Sequence, residues 1–151
     1  MKISSKGLIV SIFAILATAA EAETNLSADE KAAIQALTAS YLEALSQCRA
    51  EAFADLFVPG TGYFASGFRG HFVGREQLIL LVQSERQCTA PAGTPQAARP
   101  GGASVPTVAI EVAPSGVRGV ADLGTAEYQD EYAKTPQGWR FASRTVLIAA
   151  E

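Results

Sequence analysis

The stretch Glu127–Arg144, EYQDEYAKTPQGWRFASR, decides the architecture. Its first half alternates. Tyr128, Asp130 and Tyr132 fall on one side of an extended chain and Glu127, Gln129 and Glu131 on the other, because successive strand side chains point to opposite faces. Two glutamates and a glutamine read as the solvated side, so the Tyr–Asp–Tyr side points inward. Thr135-Pro136-Gln137-Gly138 is a turn, since Pro and Gly supply the backbone angles of a tight reversal. Trp139 to Ala149 then resumes as a strand, completing an antiparallel hairpin. On the same alternation Arg140 and Arg144 share the face opposite Trp139, Phe141 and Ser143, which places both arginines outward.

Upstream, Thr107–Val112 alternates around Val108, Ile110 and Val112, Pro114-Ser115-Gly116 turns, and Val117–Leu123 follows as another strand. Thr89–Pro106 is rich in Pro, Gly and Ala and has no apolar period. A loop of that length inside a compact domain serves as a lid or a mobile segment. Gly74-Arg75-Glu76 opens a helix reaching about Gln87, with Leu78, Leu81 and Val82 inward. Before it, Gly60, Gly62, Gly67 and Gly70 punctuate Tyr63, Phe64, Phe68 and Phe72, a mixture that suggests short bent strands around a cavity.

Arg49–Phe57 reads as a short helix with Phe53, Leu56 and Phe57 inward, stopped by Pro59-Gly60. Ser27-Ala28-Asp29-Glu30 is a capping box. It starts a helix over Ala28–Ser46 whose stripe is Ile34, Leu37, Tyr41 and Leu45. Three helices followed by hairpin-linked strands give an α+β fold with a mainly antiparallel sheet.

The first residues form an address. Lys2 and Lys6 precede the apolar run Gly7–Ala20, and Ala20-Glu21-Ala22 supplies small residues before Glu23. This is the pattern of a secretory signal peptide; a membrane anchor needs about 20 apolar residues. Residues 1–22 are then a leader, 23–151 a single domain, and the location periplasmic or secreted. Cys48 and Cys88 are the only cysteines, and in an oxidising compartment they are expected to form a disulfide.

Composition excludes several classes. With 48% hydrophobic and 18% charged residues the chain is not disordered. A net charge of −3 lacks the basic footprint of a nucleic-acid binder. One histidine and two cysteines fall short of the four Cys/His ligands of a structural zinc site. Neither a phosphate loop nor a GxGxxG fingerprint is present, nor a nucleophile elbow. No metal, no cofactor, no nucleic acid and, after leader cleavage, no membrane are expected as partners.

Several motifs, in their order and spacing, resemble the SnoaL-like, ketosteroid-isomerase-like family of the nuclear transport factor 2 superfamily. They are Ile34-x-x-Leu37-x-x-x-Tyr41-x-x-Ala44-Leu45, Phe53-x-x-Leu56-Phe57, Gly74-Arg75-Glu76-Gln77-Leu78, Tyr128-x-Asp130-x-Tyr132 and the ending Thr135-Pro136-x-Gly138-Trp139-Arg140-Phe141-x-x-Arg144. The resemblance implies a cone-shaped fold, three helices packed on a strongly curved sheet, enclosing a cavity. It includes isomerases, dehydratases, cyclases, epoxide hydrolases and members without catalysis, so fold does not settle function.

Carried over residue by residue, Tyr41 falls where the isomerase has its oxyanion-binding tyrosine, and Asp130 where it keeps a protonated aspartic acid that donates a hydrogen bond. The position of the isomerase base falls on Ala65, beside Ser66. His71, the only histidine, is the remaining candidate to move a proton. Phe57, Tyr63, Phe68, Tyr128, Tyr132 and Trp139 are the aromatic candidates to line the pocket.

Three readings stay open. One is an exported, cofactor-independent isomerase, dehydratase or cyclase. Another is a non-catalytic binder of a small apolar or carbonyl-bearing molecule. The third is a structural module whose sheet face forms a homodimer.

Overall fold

A computed structural model describes residues 25–90 and 104–148. The leader 1–22 and most of the 89–106 segment lie outside the described residues. The elements run α1 (Ala28–Ser46), α2 (Ala50–Ala54), β1 (Tyr63–Ser66), β2 (Gly70–Val73), α3 (Gly74–Gln83), α4 (Arg86–Thr89), β3 (Ala109–Ala113), β4 (Gly116–Asp122), β5 (Ala126–Thr135) and β6 (Gly138–Ile148).

Ser27 starts α1 as the capping box requires. Its hydroxyl accepts from the Glu30 N–H at 3.2 Å, and the Glu30 carboxylate accepts from the Ser27 N–H at 3.0 Å. The helix buries Ile34, Leu37, Thr38, Tyr41 and Ala44, while Leu45 is only partly covered.

Two helical expectations are corrected. The Arg49–Phe57 helix stops at Ala54, because Leu56 to Val58 are drawn onto β6. There the Phe141 N–H donates to the Leu56 carbonyl at 2.9 Å and the Val58 N–H donates to the Phe141 carbonyl at 2.8 Å. The helix expected to run from Gly74 to Gln87 breaks at Glu85, whose backbone is extended, giving α3 and the short α4. The Cys48–Cys88 disulfide, with Cα atoms 5.5 Å apart, ties α4 to the end of α1.

The strands form one open, curved sheet in the order β2-β1-β6-β5-β4-β3. Every neighbouring pair is antiparallel except β1 with β6. Helices cover one face, here called inner. Tyr41 of α1 meets Phe53, Tyr128 and Phe141 with ring centres 5.0, 5.8 and 6.2 Å apart. Phe57 and Tyr132 close on Phe141 at 5.3 and 5.5 Å.

The register of the last hairpin holds one irregularity with large consequences. Glu131 pairs with Ser143 but Tyr132 pairs with Phe141, so Ala142 is an extra residue in β6. A bulge of this kind reverses which side chains face inward beyond it. Trp139 and Phe141 point inward before the bulge; Arg144 points inward after it and pairs with Asp130. The expectation that Arg144 lies outward with Arg140 is therefore corrected: Arg144 is fully buried.

Candidate functional site

Asp130 and Arg144 sit side by side on the inner face, at 2% and 0% exposure. Arg144 Nε donates to one Asp130 oxygen at 2.8 Å and Nη2 to the other at 2.7 Å. The Tyr132 hydroxyl donates to Asp130 at 2.8 Å, and Arg144 Nη2 also reaches the buried Thr38 hydroxyl of α1 at 2.9 Å. The guanidinium carbon stands 4.3, 4.1 and 4.3 Å from the ring centres of Tyr41, Tyr128 and Phe141. A cation so surrounded by aromatic faces is attracted by their quadrupoles.

A glycine makes the arrangement possible. Gly119 of β4 is paired with Asp130. A Cβ there would lie 2.8 and 2.9 Å from the ring edge and hydroxyl of Tyr132 and 2.5 Å from Val108. Only a residue without a side chain leaves Tyr132 room to reach Asp130.

Charge and burial tune the cluster. Burial works to lower the Arg144 pKa, but the hydrogen bonds and charge of Asp130, with the neighbouring Tyr41 and Tyr128, outweigh it and leave it raised. Burial pushes the Tyr41 phenol well above the usual tyrosine range, with Tyr128 adding to it. Burial also raises Tyr132, reinforced by the charge of Asp130 and the hydrogen bond to it. Both phenols stay protonated as donors at neutral pH.

The sequence candidates divide between the two faces. Tyr41, Asp130, Phe57, Tyr128, Tyr132 and Trp139 are all buried, and they lie on the inner side. Tyr41 and Asp130 do meet one group in common, but that group is Arg144. In the structure both Asp130 oxygens accept hydrogen bonds, from Arg144 and Tyr132, and hold the guanidinium in place. The space expected between Tyr41 and Asp130 is filled by the Arg144 side chain.

His71 is exposed and pairs with Ala65 on the outer face, edge-on to Tyr63 at 4.7 Å between ring centres. It is separated from Asp130 by the sheet itself. Tyr63 helps line an outward trough of about 610 Å³ with Arg118, Val120, Gln129, Glu131 and Thr145. Phe68 stands in the β1–β2 turn and is 67% exposed.

Arg144 and Thr38 are the site residues that pattern reading missed. The available signal for Arg144 was its odd spacing of three from Phe141, which only a bulge turns inward. Thr38 sits within the apolar stripe of α1 between Leu37 and Tyr41, where it reads as a neutral helix residue.

Buried polar atoms are almost always paired, so exceptions are informative. Among the described residues Arg144 Nη1, Ser66 Oγ and Trp139 Nε1 are buried without a hydrogen-bond partner.

A long capped helix laid across an open mixed sheet, with polar side chains buried where the two meet, defines the nuclear transport factor 2-like class. The chain belongs to the SnoaL-like domain family, whose model matches residues 27–145. Solved structures agree in fold. A nuclear transport factor 2-like protein with a cystatin-like fold from Novosphingobium aromaticivorans has a TM-score of 0.57 at 17% identity, covering 80% of this chain and 82% of that one. A function-unknown protein of Mycobacterium tuberculosis has a TM-score of 0.58 at 20% identity, covering 82% and 73%. A hexachlorocyclohexane dehydrochlorinase, LinA type 2, has a TM-score of 0.57 at 14% identity, covering 81% and 86%. A search of curated protein sequences finds no significant match.

Proposed function

We propose that the protein is a small-molecule binder of the SnoaL-like fold, acting outside the cytoplasm, which holds a neutral carbonyl-bearing apolar ligand against Arg144. The observation that carries this is the unpartnered Nη1 of a fully buried guanidinium. Nη1 only donates, so the group it lacks is an acceptor. Asp130 already neutralises Arg144, so a neutral carbonyl meets Nη1 without placing net charge in the core, which burial penalises. Tyr41, Tyr128 and Phe141, packed on the guanidinium at 4.1–4.3 Å, hold it in one orientation, so that Nη1 is a fixed donor. The signal-peptide pattern and the Cys48–Cys88 bond support export, since disulfides persist in oxidising compartments.

Binding is favoured over an isomerase, dehydratase or cyclase activity by the position of His71. A general base must reach its proton within hydrogen-bond distance or through one water, and His71 lies on the outer face.

The test uses 2-tetralone, a bicyclic ketone, and tetralin, the matching hydrocarbon. In calorimetric titration 2-tetralone should bind with at least ten times the affinity of tetralin. In D₂O, NMR of 2-tetralone should show its α-protons exchanging no faster with protein than in buffer. Equal affinity for the two compounds overturns the carbonyl reading; accelerated exchange replaces binding with enolisation chemistry.

A further inference from the structure

The outer face of the sheet carries two rows of side chains that run across the strands, because residues paired directly across a sheet share a face. In the first row Tyr63 of β1 pairs with Ser143 of β6, and Ser143 with Glu131 of β5. Glu131 then pairs with Arg118 of β4, and Arg118 with Glu111 of β3. The row beside it holds Thr145, Gln129 and Val120, paired in the same way. Together the rows line the trough of about 610 Å³, a volume within the range of small-molecule sites. The first row crosses from β1 to β3 over four strand spacings, about 19 Å from end to end.

The charges along this row alternate, with Glu131 and Glu111 on either side of Arg118. An anion in the trough meets two carboxylates, and a cation meets the guanidinium, so the row selects against net charge of either sign. Arg118 Nε stands 3.8 Å from a Glu131 oxygen. That is an ion-pair distance but too long for a hydrogen bond, so a donor and an acceptor lie side by side without being spent on each other. A hydroxyl accepts from the one and donates to the other at the same time. Beside them Gln129 is held by its own bond to Glu127, 2.8 Å long.

The β1 end of the trough is an aromatic ring. Tyr63 is half-buried, and His71 stands perpendicular to it with ring centres 4.7 Å apart, which fixes its orientation. A tyrosine offers an apolar body and a polar tip. The C–H face of a saturated ring packs on that body while its hydroxyls reach the polar row.

We infer that the outer trough binds a short, neutral oligosaccharide. Its hydroxyls bridge Arg118 and Glu131, and one sugar ring lies against Tyr63. Three linked sugar rings, each about one strand spacing long, match the length of the row. The inference is independent of the Arg144 reading, since Asp130 and Arg144 face the opposite side of the sheet.

The experiment follows the amide NMR signals of wild type with three neutral trisaccharides, cellotriose, maltotriose and triacetylchitotriose. The anionic trigalacturonic acid and the cationic chitotriose are the charged comparisons. At least one neutral sugar should shift the amides of Arg118, Gln129, Glu131 and Thr145, and should bind at least tenfold tighter than either charged one. Tyr63→Leu and Arg118→Ala should each weaken that binding at least tenfold. Arg118 is half exposed, so urea unfolding of Arg118→Ala should match wild type, which separates binding from folding. Sedimentation velocity should give wild type and Arg118→Glu the same mass.

The proposal is overturned if no neutral trisaccharide shifts these amides at millimolar concentration, or if a charged one binds as tightly. Undiminished binding in Arg118→Ala also overturns it. So does a dimer that Arg118→Glu breaks, because a second copy of the chain then covers this face. Loss of 2-tetralone binding with sugar binding intact removes the Arg144 reading alone.

Discussion

Arg144 and Asp130 form a two-pronged pair, 2.8 and 2.7 Å long, with neither residue more than 2% exposed. The pair exists because Ala142 is one residue too many for the register of the last hairpin. Its worth is measurable. Removing one member of a buried pair typically costs about 3–5 kcal/mol, whereas replacing both costs far less. Asp130→Leu and Arg144→Met should each destabilise the protein by about that amount. The double variant should lose clearly less than the sum. Urea unfolding of all four proteins measures the coupling, and strict additivity would show that the two side chains do not depend on each other.

Gly119→Ala tests the close approach opposite Asp130. The added methyl collides with the Tyr132 ring and with Val108. Overpacking of this kind costs typically 1–3 kcal/mol. Stability should fall and the near-UV tyrosine signal should change as Tyr132 leaves Asp130. Wild-type stability with an unchanged spectrum would mean that the space is not tight.

Legibility in the sequence followed the period of the residues. The capping box at Ser27, the stripe of α1 and the alternation of Glu127–Tyr132 were readable because each follows one regular period. So was the turn at Pro136, and the resemblance built on these elements leads to the family found. The inward position of Asp130 followed from the charged neighbours on its other face. Arg144 was misread because alternation assumes an unbroken register, and no residue type around Ala142 announces a bulge. His71 was misassigned because a strand of four residues, Gly70–Val73, gives too little pattern to choose a face. Helix α2 was overextended because Leu56 and Phe57, apolar at helical spacing, are claimed by β6 through pairing distant in sequence.

Acid stability should depend on Glu30. The hydrogen bond from Lys134, followed by that from the Ser27 backbone, holds its carboxyl at about 2 against an ordinary 4.5. A carboxylate whose folded pKa is lowered contributes stability above its unfolded pKa and loses it as pH falls through the folded value. Melting temperatures followed from pH 7 downward should decline through the window from 4.5 to about 2. In Glu30→Gln the decline over that window should be shallower. Superimposable profiles would remove Glu30 from the account.

The disulfide joins residues 40 positions apart. Chain-entropy arguments assign such a cross-link about 4 kcal/mol as an upper figure. Cys48→Ser/Cys88→Ser should therefore melt well below wild type. The variant and the wild-type protein held in reductant should melt together. A melting temperature independent of the disulfide would show that α4 is held by packing alone.

The central claim is that Arg144 Nη1 is the donor a carbonyl ligand meets. The most direct measurement is ¹⁵N NMR of the Arg144 guanidinium in arginine-labelled protein, titrated with 2-tetralone and with tetralin. The Arg144 Nη signals should exchange slowly with water, as befits a fully buried group, and should shift with the ketone but not with the hydrocarbon. Arg144 signals that stay in place as 2-tetralone saturates the protein, or that move equally with tetralin, would contradict it.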